Sequence, residues 1–175
     1  MKKIIIIAAL LSVFVAAPAV AADAAGIYAG IKIGPSDVTG SPLGFGLYGG
    51  YNIDPGVTSK ITTKVSFAGE AEYTNLGSNT TLGITYKASA IGFVVAATYP
   101  INQQFSVIGK AGLARTAYDV TCPGCGAAWN NTTNTIGLRA GAAGQYNLTQ
   151  QVGLRAGLDF YPNYSMISAG AVIKF

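Results

Sequence analysis

The 175-residue chain has no histidine, one tryptophan, two cysteines and few charges, with only 10% of its residues Asp, Glu, Lys or Arg. Soluble domains carry about a quarter charged residues, because those side chains clothe a water-facing surface. The deficit excludes a conventional soluble exterior. Without histidine, a hydroxyl nucleophile lacks its usual base, and no enzymatic activity is expected. The two cysteines, Cys122 and Cys125, have no second ligand pair to complete a metal site, and Gly126 after Cys125 breaks the haem-attachment pattern. No cofactor is expected. Past residue 22 no apolar run approaches the roughly 20 residues of a membrane-spanning helix. With Lys2 and Lys3 set aside, nine basic residues face seven acidic ones, too small an excess for nucleic-acid binding.

The first 22 residues stand apart. Lys2 and Lys3 precede an apolar run from Ile4 to Ala17, then Pro18 and the small residues Ala19-Val20-Ala21-Ala22. This is the pattern of a secretory signal peptide over residues 1–22, cleaved after Ala21 or Ala22. An uncleaved anchor is the competing reading, disfavoured by Pro18 and the small residues. Residues 23–175 are then one domain.

That domain reads as eight segments of period two. The apolar face carries Ile27, Ala29, Ile31 and Ile33 in the first; Phe45, Leu47, Gly49 and Tyr51 in the second; Val65 to Tyr73 at odd positions in the third; and Ile91 to Tyr99 at odd positions in the fourth. It continues with Phe105 to Leu113, Ile136 to Tyr146, Val152 to Phe160 and Ile167 to Phe175, each at alternate positions. Such alternation is what a transmembrane barrel needs. In lipid an open sheet would leave edge amides unpaired, so the strands must close on themselves. The predicted fold is an all-β, eight-stranded, antiparallel, up-and-down transmembrane barrel.

Energy assigns the faces. A Lys or Arg turned to lipid near the midplane costs about 2–4 kcal/mol, so Lys32, Lys110, Arg139 and Arg155 should point inward, neutralised there by Glu70, Glu72 and Asp159. Alternation sends Lys87 and Arg115 outward near the extracellular ends, where basic side chains snorkel to headgroups and would meet lipopolysaccharide phosphates.

A repeat marks the periplasmic end: Tyr51-Asn52-Ile53-Asp54-Pro55, Tyr99-Pro100-Ile101-Asn102-Gln103 and Tyr146-Asn147-Leu148-Thr149-Gln150 each end an even-numbered strand with an outward ring, and Phe175 ends the eighth. Together they would form an aromatic girdle at the interface. The external connections are then Pro35 to Leu43, Asn75 to Thr81, Ala117 to Asn134 and Tyr161 to Asn163. The third is the longest and holds Tyr118, Cys122, Cys125 and Trp129. In an oxidising compartment the Cys122-Pro123-Gly124-Cys125 pair reads as a structural disulfide shaping a contact loop, with a redox pair as the alternative.

Two matches carry nothing. Gly44-Phe45-Gly46-Leu47-Tyr48-Gly49 has dinucleotide-binding spacing but no helix follows it. The Asn-X-Ser/Thr sequons, such as Asn79-Thr80-Thr81, have no acceptor role in a bacterial outer membrane.

The blocks Tyr28-Ala29-Gly30-Ile31-Lys32-Ile33-Gly34, Leu47-Tyr48-Gly49-Gly50-Tyr51, Glu70 with Tyr73-Thr74-Asn75-Leu76-Gly77, Tyr99-Pro100-Ile101 and Met166 to Phe175 resemble, in order, the eight-stranded transmembrane domain of outer-membrane protein A and its small surface-antigen relatives. The resemblance implies a narrow lumen crossed by ion pairs, with a glutamate–arginine pair falling on Glu70 and Arg155. A second lysine and acid of the family fall on Ala96 and Gln145, where this sequence departs. A peptidoglycan-binding domain after Phe175, and with it cell-wall anchoring, is not expected.

The expected function is a monomeric outer-membrane protein that stabilises the envelope and presents loops to an extracellular ligand. Its other partners would be outer-membrane lipid, lipopolysaccharide and the assembly machinery, the last through the strand ending in Phe175. A narrow porin-like channel for ions or small solutes, gated by lumenal ion pairs, and a soluble ligand carrier are the alternatives. The volume inside eight strands is just enough for side chains, which favours a plugged barrel.

Overall fold

The computed structural model describes residues 26–53, 65–122 and 131–175. They form eight strands: β1 (Ile27–Pro35), β2 (Leu43–Asn52), β3 (Ser66–Thr81), β4 (Ile84–Pro100), β5 (Phe105–Thr121), β6 (Asn131–Asn147), β7 (Val152–Tyr161) and β8 (Tyr164–Lys174). Each strand pairs antiparallel with the next, and β1 with β8 in register from Tyr28↔Lys174 to Ile33↔Ala169, which closes the barrel. Closure removes the sheet edges from the body of the barrel, while the distal ends of β3 and β6 extend past their pairing with β2 and β7. Among the described residues no helix is long and apolar enough to cross a membrane. The proposed leader at residues 1–22 lies outside the described residues.

Alternation in the sequence becomes alternation in space. Phe93, Leu113, Ile136, Leu138 and Ile167 are more than half exposed on the outside, whereas Lys32, Glu70, Glu72, Lys110, Arg139 and Asp159 are buried within. The exterior is apolar and the interior charged, the reverse of a protein dissolved in water. Two apolar layers flank the interior charges. At the end where β1 begins and β8 finishes, Tyr28, Tyr48, Ala68, Ala96, Ile108 and Val172 pack together. At the distal end the plug is Val38, Leu76, Ala88, Ala90, Ala114, Tyr161 and Met166, with Tyr118 and Tyr164 against it.

The strands are unequal. β1, β2, β7 and β8 have 9 to 11 residues, close to the 9–11 a tilted strand needs to cross hydrocarbon. β3 to β6 have 16 or 17 and rise beyond their neighbours at the distal end. Here the sequence expectation needs correction. Asn75–Thr81 is not a loop but the upper part of β3, joined to β4 through Leu82 and Gly83. The expected loop Ala117–Asn134 likewise begins with five residues of β5 and ends with four of β6. A β-bulge hides the continuation: the β3–β4 register slips between Asn75 and Gly77, Gly77 takes φ +98°, and Leu76 is fully buried in the plug. A bulge inserts one residue and twists the strand, and the left-handed φ suits glycine.

The turns at the terminal end explain the repeat. Asn102 Oδ1 accepts from the backbone N–H of Gln104 at 2.9 Å and of Phe105 at 2.7 Å. Thr149 Oγ1, at the equivalent place, accepts from Gln151 and Val152 at 3.2 and 2.9 Å. A side-chain acceptor two or three residues ahead of the donors stands in for a backbone turn. The third copy reaches Asp54 and Pro55, which lie outside the described residues.

Candidate functional site: an ion-paired lumen beneath a raised rim

The lumen is built by inward positions alone, and the barrel brings together all seven charged residues expected there. They form two groups. In the group nearer the distal end, Lys32 Nζ donates to Glu72 Oε1 at 2.6 Å and Asp159 Oδ2 at 2.7 Å, and Arg139 Nη2 to Glu72 Oε2 at 2.6 Å and Asp159 Oδ1 at 3.0 Å. Two cations meet two carboxylates. In the other group Glu70 is held from two sides, by Lys110 Nζ at 2.8 Å and Arg155 Nη1 at 2.7 Å. Two cations meet one carboxylate.

Neutral groups that the sequence reading missed complete the network. The Tyr28 hydroxyl donates to Glu70 at 2.7 Å, Thr74 Oγ1 to Glu72 at 2.6 Å, and Lys32 Nζ to the Tyr161 hydroxyl at 2.7 Å. Tyr161, expected in a connection, continues the inward parity of Asp159 and closes the group. That parity was the available signal. Gln145, where the resemblance predicts an acid, accepts from Arg155 at 3.0 and 3.1 Å and remains neutral. Ala96, where it predicts a lysine, lies directly opposite Lys110 in the β4–β5 register. The ammonium therefore reaches Glu70 from the next strand.

Glycine makes room for the aromatic part of this network. Tyr28 pairs across the β1–β2 ladder with Gly50, and Tyr48 with Gly30. A Cβ at Gly50 would lie 2.4 Å from the Tyr28 ring and one at Gly30 2.2 Å from that of Tyr48, so each ring lies flat over the glycine opposite. The cations stack on them, with Lys110 Nζ 5.1 Å and Arg155 4.8 Å from the Tyr48 ring centre. Cation–π contact adds attraction without adding charge.

Buried charges persist when paired and hydrogen-bonded, and these fill the bore. An interior void beside Lys32, Tyr48, Lys110 and Arg155 offers only about 10 Å³ to the centre of a water-sized particle. Above it the plug is fastened down. The connection after β1 folds inward, burying Val38, and Asp37 accepts from the backbone N–H of Ser165 at 2.7 Å and its hydroxyl at 2.8 Å.

Lys87 and Arg115 are exposed on the outer face of the rim formed by β3 to β6, two residues beyond Ser89 and Leu113. Tyr118, expected in a contact loop, is instead a strand residue of β5. It faces inward because it shares parity with buried Ala114 and Thr116, and its ring centre is 6.3 Å from that of Tyr86 and 5.8 Å from that of Tyr164. Cys122 follows β5, is buried and is not free. Cys125 and Trp129 lie outside the described residues. At the opposite end Tyr51, Tyr99 and Tyr146 stand exposed on the outer face, and the Phe175 N–H donates to Ile27 at 2.9 Å.

A closed antiparallel barrel, apolar outside and ion-paired within, is the architecture of an integral membrane β-barrel. The family model described as outer membrane protein beta-barrel domain matches residues 6–173, and the chain belongs to that family. It is an integral protein of the bacterial outer membrane, of the same kind as the barrel expected from the sequence. Among solved structures it is similar to Ail, the attachment invasion locus protein of Yersinia pestis, with 17% identity and a TM-score of 0.59 over 86% of this chain and 97% of that one. It is also similar to Neisserial surface protein A, with 19% identity and a TM-score of 0.58 over 85% of this chain and 96% of that one. The N-terminal β-barrel domain of Pseudomonas aeruginosa OprF gives 14% identity and a TM-score of 0.56, over 85% and 97% of the two chains. At these identities the likeness is one of fold. No curated protein sequence matches the chain.

Proposed function

We propose that this protein is a closed, non-conducting scaffold that holds a rim of strands and loops above the outer membrane for contact with an external ligand. The carrying observation is the mismatch in strand length. Crossing hydrocarbon takes 9–11 residues, yet β3 to β6 each have 16 or 17. The surplus carries the distal ends of β3 to β6 beyond the span needed for the bilayer, while ion pairs and the Val38–Leu76–Met166 plug fill the bore. Rigid scaffolds carrying exposed loops are a common arrangement for contact surfaces.

Trp129 and the tip from Cys122 to Cys125 make the external contact, with those two cysteines joined; Tyr118 supports the rim from inside. Lys87 and Arg115 meet lipopolysaccharide phosphates. Tyr51, Tyr99, Tyr146 and Phe175 form the periplasmic girdle, and the strand ending in Phe175 is read by the assembly machinery. Residues 1–22 are removed on export, and the barrel is a monomer. The role is non-enzymatic, supported by the absence of a histidine base. A solved complex of Ail with the heparin analogue sucrose octasulfate makes a sulfated sugar a reasonable first ligand to try.

Deleting residues 121–129 and measuring attachment of bacteria to glycosaminoglycan-coated and cell-coated surfaces tests the proposal. Loss of attachment with unchanged surface expression is expected. Undiminished attachment would remove the loop from the reading.

A further inference from the structure

The two charged groups of the lumen differ in one respect. Glu72 and Asp159 each contact both Lys32 and Arg139, so that quartet is neutral. Glu70 alone answers Lys110 and Arg155, so that trio carries a surplus positive charge. The hydrogen-bond partner of Arg155 beyond Glu70 is the neutral amide of Gln145. Among the described residues, four enclosed cations therefore face three enclosed carboxylates. An uncompensated charge is expensive in a low-dielectric interior, and no fourth carboxylate among the described lumenal residues offsets this one.

A second observation lies beside it. The Tyr48 side chain is 95% buried and its hydroxyl has no hydrogen-bond partner. Buried hydroxyls are nearly always satisfied, by protein or by an unseen occupant. Tyr48 lines the interior void together with Lys110, Arg155, Lys32 and Ser168, and the cations of the surplus trio stack on its ring. Asp159 also borders the void, but both its oxygens are taken by Lys32 and Arg139. The void is thus bordered by a residue whose hydroxyl is unpartnered and by the cations of the surplus trio, with about 10 Å³ for the centre of a water-sized particle, close to what a single water requires.

We infer that this void is a binding site for one monatomic anion, chloride, held by the Tyr48 hydroxyl between Lys110 and Arg155. Chloride, only slightly larger than water, supplies the missing negative charge and accepts the orphan hydrogen bond. The small free volume favours a single-atom anion over phosphate, sulfate and carboxylates, which have several heavy atoms. A neutral water would satisfy the hydroxyl and leave the charge surplus in place.

The test is equilibrium unfolding of the full barrel in phosphatidylcholine vesicles, read by heat-modifiable gel mobility, in sodium chloride and in sodium gluconate at equal ionic strength. A ligand present at about ten times its dissociation constant multiplies the folded-to-unfolded ratio about tenfold, and that gain is expected in chloride but not in gluconate. Tyr48→Phe should abolish the difference between the salts. Crystals soaked in sodium bromide should show an anomalous peak at hydrogen-bonding distance from the Tyr48 hydroxyl. Identical unfolding of the unaltered protein in the two salts would assign the void to water and overturn the inference. A chloride effect undiminished in Tyr48→Phe would mark a general salt effect and overturn it equally. If Tyr48→Phe does not fold, the bromide map decides, a peak in the void supporting the site and its absence refuting it.

Discussion

Replacing Glu72 with alanine should be among the most damaging single changes in this barrel. Its carboxylate is buried and receives Lys32 at 2.6 Å, Arg139 at 2.6 Å and the Thr74 hydroxyl at 2.6 Å. Alanine leaves Lys32 and Arg139 sharing Asp159, so a neutral quartet becomes a trio with one cation in excess. Breaking a buried pair by removing one partner costs about 3–5 kcal/mol, and a midpoint of about 4 kcal/mol is close to a thousandfold in the folded-to-unfolded ratio. The assay is urea unfolding in phosphatidylcholine vesicles, followed by gel mobility of unheated samples. The decisive comparison is Glu72→Ala/Arg139→Met, in which one charge of each sign is removed and Lys32 retains Asp159. Because an uncompensated charge hurts more than a missing pair, the double variant should be more stable than Glu72→Ala alone, despite carrying more changes. If the two losses simply added, or if Glu72→Ala cost under about 1 kcal/mol as exposed pairs do, the charge-balance account of the lumen would be wrong.

Other consequences can be checked separately. Gly30→Ala drives a Cβ into the Tyr48 ring and should lose roughly 1–3 kcal/mol, whereas Gly69→Ala, whose Cβ meets nothing within 4 Å, should be neutral in the same urea titration. Lys87→Glu with Arg115→Glu should leave folding intact but diminish the stabilisation gained when lipopolysaccharide replaces phosphatidylcholine, measured as a shift in unfolding midpoint; an unchanged shift would remove both residues from lipid contact. Intact mass after alkylation should show no modified thiol until a reductant is added, and two afterwards. Modification before reduction would contradict a Cys122–Cys125 bond.

The period-two pattern made the inner and outer faces legible residue by residue, because one face meets acyl chains and a misplaced charge there is heavily penalised. Lys32, Glu72 and Arg139 could be assigned inward from their neighbours alone. Their pairing could not, since the contact between Lys32 and Asp159 joins positions 127 apart and depends on the stagger with which β1 closes on β8. The raised rim was hidden for a different reason. Above the bilayer the lipid no longer selects apolar side chains, so Gly77–Thr81 and Asn131–Asn134 lack an apolar face and look like loops. Their strand character comes from ladder pairing with β4 and β5, information held in the partner strands. The bulge at Leu76 adds a change of parity within β3. Tyr118 followed from the same error, being read as a loop residue when its strand continues past it.

Paired charge and a folded-in plug fill the bore, and the closed state of the barrel depends on both. Recording from the purified barrel in planar phosphatidylcholine bilayers at neutral pH in 1 M potassium chloride addresses this most directly. The proposal predicts a flat baseline at transmembrane voltages up to about one physiological potential, near 100 mV, because the buried side chains of Glu72, Arg139 and Met166 stand across the bore. Regular, long-lived openings of uniform size in the unaltered protein would contradict it.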